Sequence, residues 1–347
     1  MFELYDCFSP TDGEKHAVCG RDSHGSTVTE LPSGKIMATW YSGSYEKSAD
    51  VGIYTARFDP QTKTWSEVSL LAKEGDRKSE GNPVIHYDAP TERLWLFWVT
   101  MDRADYDFIP GGWSTCKMKC MHSDDVGKTW REPRYLFKTW GKMTRNKPIR
   151  LSNGDFFLPI YSEWLGYKGN FLISKAESFA KGAQKSKWKK VGPVGTGVMQ
   201  PTVVELEPGH LLAYFRTAKS SKFKGRMTKA ESVDYGRHWT KIEPTDLPNP
   251  NSGCDMVKLA NGNLALAFNN HPSERSPLSI GLSEDNGKTW PYIQDIVKAA
   301  GPGLDERFSY PSLIQAEDGI LYCSYTNKHA INIQCARFDE DWVKTGS

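Results

Sequence analysis

Two arginines, Arg216 and Arg275, stand near the ends of apolar, strand-like segments, and other chemically capable residues recur at corresponding places along the chain. A guanidinium donates parallel hydrogen bonds from a planar fork, which suits a carboxylate. His24 and Tyr310 can each pass a proton, and Glu46 and Asp50 follow His24 on the next loop. Asn82 and Trp113 come from a second stretch, and Arg145, Asn146, Lys147 and Glu163 from a third. Gln200 accompanies Arg216, Asp255 precedes Arg275, and Glu306 precedes Tyr310. Cations dominate the set. Such groups could neutralise an anion and pass protons beside it. A tyrosine hydroxyl ordinarily titrates at about 10, so it needs a partner base to act as a nucleophile near neutrality.

The elements that must position these residues are repeats. Ser283-Glu-Asp-Asn-Gly-Lys-Thr-Trp290 recurs as Ser123-Asp-Asp-Val-Gly-Lys-Thr-Trp130 and, more loosely, as Ser232-Val-Asp-Tyr-Gly-Arg-His-Trp239. The Asp can accept hydrogen bonds from its own turn, the Gly supplies positive φ, and the Trp folds back as an apolar plug, so Asp125, Asp234 and Asp285 read as turn stabilisers. A second phrase, alternating strand, turn and apolar strand, is centred on Gly34, Gly154, Gly209, Gly262 and Gly319, with a version lacking the Gly near Arg93. The spacing is roughly 53–61 residues. Six units of four strands account for nearly the whole chain, which predicts an all-β, six-bladed β-propeller with four-stranded antiparallel blades. The first ~20 residues are expected to lend an outer strand to the last blade and so lock the ring. One short helix is expected around 174–182. Nothing marks a second domain, so 1–345 is read as one, with Gly346-Ser347 set aside as a candidate cloning remnant. The basic stretches 181–190 and 222–229 read as solvated loops.

Composition narrows the classes. Among 347 residues, 44 basic and 42 acidic side chains leave a formal charge of +2, which gives no general pull towards nucleic acid or an anionic membrane. The N-terminus has neither the basic start nor the apolar run of a signal peptide, so the expectation is a cytoplasmic chain, or a secreted one if a leader has been removed. Seven cysteines without a CxxC pair read as free buried thiols in a reducing compartment. No metal motif is visible and no cofactor is required on this reading; a structural cation such as calcium, held by backbone oxygens, would leave no signature.

The Ser-x-Asp-x-Gly-x-Thr-Trp turn resembles the Asp-box of sialidases, whose fold is a β-propeller. The segment ending in Arg216 is similar to the one carrying the second arginine of their carboxylate-binding triad. Asn270-His-Pro-Ser-Glu-Arg275 is similar to the one carrying the third, and Ser309-Tyr310-Pro to the strand bearing their tyrosine nucleophile. The resemblance implies a sugar acid as ligand; Trp113, on a loop after Gly111-Gly112, could stack on a sugar ring or merely cover the channel. Two positions depart from the pattern: His24 stands in place of the first arginine, and Gln200 in place of the glutamate that activates the tyrosine. Gln200 cannot accept a proton. The phrases around His24, Arg145, Gln200, Asn249-Pro-Asn-Ser-Gly and Tyr310 also look like a sialidase-related propeller group. Relatives of that group include enzymes that cleave rhamnose from glucuronate by elimination or hydrolysis. That implies an enzyme acting on a terminal bond of an acidic, uronate-containing glycan, with Arg216 and Arg275 on the carboxylate and His24 and Tyr310 as the acid–base pair. An exo-sialidase with Tyr310 as nucleophile and Asp50 or Glu46 as acid is an alternative. A propeller that binds an acidic sugar without cleaving it is another.

Overall fold

The computed structural model of the chain describes residues 1–8, 22–102, 112–301, 306–327 and 332–346. Six antiparallel sheets follow one another around a central channel as blades one to six. Their inner strands are Asp22–Glu30, Ser79–Asp88, the pair Lys142–Thr144 and Ile149–Arg150, Val198–Glu207, Asp255–Lys258 and Phe308–Gln315. The strand Phe2–Phe8 pairs with Asn332–Phe338 as the outer strand of blade six, so the two ends of the chain share one sheet, as the sequence predicts. A short helix, Ala176–Phe179, falls within the expected stretch, and Glu340–Thr345 forms a second. Among the described residues no helix is long and apolar enough to cross a membrane.

The strands alternate so that each blade presents apolar side chains to both neighbours. Six clusters of buried residues result, one at each blade–blade interface. In blade five's Asp-box the Ser283 hydroxyl donates to Asp285 at 2.8 Å, while the Thr289 N–H and hydroxyl donate to the same carboxylate at 2.9 and 2.7 Å. The indole of Trp290 then reaches back to the hydroxyl of Tyr214 in blade four at 3.2 Å. The box thus closes a turn and couples two blades. In the blade-two hairpin that lacks glycine, Glu92 takes the left-handed conformation at φ 52°. The six described cysteines are buried and free; Cys19 lies outside the described residues.

What positions the site is a feature of four inner strands. Blades one, two, four and six each carry a register shift at the same level, across His24/Thr27, Gly81/Val84, Met199/Thr202 and Ser309/Ser312. Within these bulges Gly25, Asn82, Gln200 and Tyr310 have φ of 64°, 46°, 49° and 55°. A bulge bends its strand and re-aims a side chain, and non-glycine residues held at positive φ are strained positions that the surrounding fold must support. Here the bulges turn Asn82, Gln200 and Tyr310 towards one mouth of the channel. Each is followed by a proline, Pro83, Pro201 or Pro311, which has no N–H to offer the ladder and fits where pairing is broken.

Candidate active site

The mouth of the channel opens into a cavity of about 350 Å³, to which every blade contributes. His24 and Glu46 come from blade one, Asn82 and Trp113 from blade two, and Glu163 from blade three. Gln200 and Arg216 come from blade four, Arg275 from blade five and Tyr310 from blade six. These nine residues, anticipated from sequence, are brought together. Tyr161, Tyr167, Met199, Asn251, Arg307 and Ser309 line the same cavity and were not anticipated. Tyr161 had a signal, since it alternates with Glu163 along one strand end and so shares its side.

Tyr310 is the centre of the arrangement. Its hydroxyl accepts a hydrogen bond from Nη1 of Arg216 at 3.3 Å. Three guanidiniums surround the ring, those of Arg145, Arg216 and Arg275 at 5.1, 5.9 and 5.6 Å from its centroid. The His24 ring meets it edge-on at 4.6 Å and 88°. Burial raises the phenol's pKa, but the charges of Arg216 and Arg275 outweigh it and hold Tyr310 below the ordinary tyrosine value. The two arginines are in turn fixed by neutral oxygens. Arg216 donates to Asn251 Oδ1 at 3.0 Å and Gln200 Oε1 at 3.1 Å; Arg275 donates to Ser309 Oγ at 3.1 Å and the Asn251 carbonyl at 3.0 Å. No ion pair among the described residues joins either arginine to a carboxylate.

Glu163 faces the same space. Burial pushes its carboxyl up to about 7 against the attraction of Arg216, and Glu46 adds to the rise. The folded chain therefore keeps this proton between pH values of about 4.5 and 7, where the unfolded chain has lost it. Stability contributed here falls as pH rises through that window. Glu163→Gln is expected to remove that fall, gaining thermal stability over the parent between about pH 5 and pH 8 by at most roughly 3 kcal/mol. Parallel melting-temperature profiles for the two proteins would contradict the burial of this carboxyl. Glu46 accepts from the indole N–H of Trp113 at 3.0 Å, which ties the Trp113 loop to blade one.

Six anticipated residues stand elsewhere. Arg145, Asn146, Lys147 and Asp255 fill the channel beneath the cavity instead of lining it. The break between the two inner pieces of blade three lets Arg145 cross to the Ser26, Tyr310 and Pro311 carbonyls, at 3.2, 2.5 and 3.3 Å. Asn146 donates to the carbonyls of Gln200 and Pro201, and Lys147 pairs with Asp255 at 2.7 Å. These residues hold the strained backbone of Gln200 and Tyr310 from below. Asp50 closes its own loop, accepting from the Ser44 N–H and from the hydroxyls of Ser44 and Ser48. Burial alone would raise its pKa, yet these bonds bring it below the usual carboxylate range, so it stays ionised and is a poor proton donor. Glu306 accepts from the Ala300 N–H at 2.8 Å and does not line the cavity. Among the described residues no group of three or more His, Cys, Asp or Glu side chains is placed to hold a metal ion.

With this geometry in view, comparison with known proteins places the chain. Residues 34–323 match the BNR repeat-like domain, and the chain belongs to that family. No curated protein sequence matches it. Among solved structures, a Hadza microbial sialidase superposes with a TM-score of 0.80 at 17% identity, covering 98% of this chain and 69% of that one. The NanB sialidase of Streptococcus pneumoniae gives 0.76 at 15%, covering 98% and 71%. The intramolecular trans-sialidase of Ruminococcus gnavus gives 0.74 at 16%, covering 98% of both chains. At such identities the likeness is one of fold: the chain is built on the sialidase propeller.

Proposed function

We propose that the chain cleaves a terminal glycosidic bond of an acidic glycan, holding the sugar's carboxylate between Arg216 and Arg275 and working beside Tyr310, with the ring 1–345 as one domain. The observation that carries this reading is the pair of guanidiniums that converge on one phenol and lack a carboxylate partner among the described residues. Charges taken out of water are ordinarily paired. A carboxylate brought by the substrate completes the pairing and fits the guanidinium fork.

In the first form of the reading the sugar is a uronate. The two cations draw charge from the carboxylate and acidify the C–H on the adjacent carbon. Tyr310, its pKa lowered by the same cations, removes that proton as the phenolate. The electron pair forms the C=C bond, the C–O bond to the neighbouring sugar breaks, and the leaving oxygen takes a proton from His24 or Glu163. In a second form the chain is an exo-sialidase and Tyr310 attacks the anomeric carbon. The fold of the sialidases above and the flanking of Tyr310 by Arg216 and Arg275 favour it. Against it stands Gln200, whose amide cannot take the tyrosine's proton, so Glu163 would have to. Binding without cleavage is the third form.

Incubation with a sialoside and with a rhamnosyl-glucuronate glycan separates them. Released sugar together with new far-ultraviolet absorbance from an unsaturated uronate is the outcome expected of the first form. Release from the sialoside alone, without that absorbance, selects the second. Binding of either glycan with no release selects the third, and neither binding nor release sinks the carboxylate assignment.

A further inference from the structure

We propose that Tyr161 is a specificity-determining donor of this cavity, its O–H held outward for an oxygen of the bound sugar by the amides of Gln200 and Asn82. The inference rests on the carboxylate reading above and names a second point at which the same ligand is gripped. It starts from Arg216, which can only donate. Because Arg216 Nη1 donates to Gln200 at 3.1 Å, the atom of Gln200 facing it must be the carbonyl Oε1, and this fixes which way the amide lies. Gln200 Nε2 therefore points the other way and donates to the Tyr161 hydroxyl at 3.3 Å. Asn82 Nδ2 donates to the same oxygen at 3.2 Å.

A phenol oxygen has room for two such bonds and one proton of its own to give. With both acceptor places taken by amides, that proton must point away from them. Nothing among the described residues accepts it, although Tyr161 is only 2% exposed, and a buried O–H with no acceptor is rare in folded proteins. The free direction is the cavity, which Tyr161 lines beside Asn82, Gln200 and Arg216. Burial, reinforced by the charge of Glu163, raises the phenol's pKa well above the ordinary value, so Tyr161 keeps its proton and gives a hydrogen bond. The two tyrosines of the site are thereby separated by their surroundings: Tyr310 is held towards the phenolate, Tyr161 towards the phenol. Gln200 also acquires a purpose. An amide can accept from Arg216 and donate to Tyr161 at once; a carboxylate in its place would accept from both and turn the Tyr161 proton inward.

Neutron diffraction from crystals exchanged into deuterium oxide reads that proton without any ligand. The expected result is a deuteron on Tyr161 Oη directed into the cavity, with a Gln200 Nε2 deuteron directed at the oxygen. A Tyr161 deuteron aimed at Gln200 or Asn82 overturns the proposal. Calorimetric titration with N-acetylneuraminate and with D-glucuronate tests the consequence in solution, using whichever acid the parent protein binds. Y161F, which keeps the ring and its packing, is expected to bind that acid about tenfold more weakly. If Y161F binds like the parent while Arg216→Ala does not bind, the role of Tyr161 is overturned and the carboxylate reading stands. If Arg216→Ala binds like the parent, or neither acid binds the parent, the carboxylate reading falls, and the neutron map decides the direction of the Tyr161 proton by itself.

Discussion

Arg216→Ala is expected to abolish turnover and carboxylate binding together, lowering kcat/KM on the order of 1,000-fold, the cost typical of losing a preorganised charged donor. Arg216 donates through Nη1 to Gln200 and Tyr310 and through Nε to Asn251, so truncation takes away the charge, the support of the amide and the main electrostatic pull on the phenol. Two readings follow from one variant. Ligand titration reports the lost carboxylate grip. Ultraviolet titration of the tyrosines reports the second effect: without Arg216, burial wins and the Tyr310 pKa moves up. Arg216→Lys keeps a cation and serves as the variant least liable to unfold. It is expected to bind the acid more weakly than the parent, because a point charge cannot bridge two carboxylate oxygens. Parent-like binding by both variants would remove Arg216 from the pocket.

Tyr310→Phe has the largest expected effect on rate and a small one on affinity. The change deletes one oxygen and keeps the ring that three guanidiniums surround, along with the backbone carbonyl to which Arg145 is bonded. Both enzymatic forms of the function need that oxygen, as base or as nucleophile, so kcat should fall about 1,000- to 10,000-fold. The dissociation constant for an acidic sugar should change less than about tenfold, because Arg216 loses only a neutral acceptor. Single-turnover kinetics beside equilibrium titration makes the comparison. A variant that turns over at more than a tenth of the parental rate would remove Tyr310 from the chemistry, and a variant that loses binding as well would mean that the hydroxyl holds the ligand.

How much of this was legible in the sequence follows from how each residue earns its place. The ring was readable because the blades repeat their turn chemistry; Ser283, Asp285 and Gly287 serve local needs that recur in the boxes at Asp125 and Asp234. Gln200 and Tyr310 were readable because they occupy like places on the inner strands of blades four and six, and Arg216 because it stands near the end of the strand that pairs with Gln200's. Asn251 was not, since its importance arises from a bond to Arg216, 35 residues away, and Tyr161 showed only its alternation with Glu163, its partner Gln200 lying 39 residues away in the next blade. Arg145, Asn146 and Lys147 misled for the reverse reason. They look like a cationic edge, yet the interruption of blade three's inner strand swings them beneath the cavity, where backbone carbonyls need donors. The proline after each of Asn82, Gln200 and Tyr310 was the overlooked signal: in an inner strand it marks the bulge that aims the residue before it.

The pairing of Phe2–Phe8 with Asn332–Phe338 has a consequence in time. A ribosome delivers Phe2–Phe8 long before Asn332–Phe338, so the earlier strand cannot find its place until the later one has emerged. Until then blade six lacks its rim, and blades one and six cannot clasp. Bringing Phe2 to Phe338 closes a loop that takes in all six blades, a distant closure of the kind that slows assembly. The cavity shares that delay, because His24 of blade one and Tyr310 of blade six meet only across this seam. Five blades could be built and the pocket would still be open on one side; its chemistry begins when the circle does.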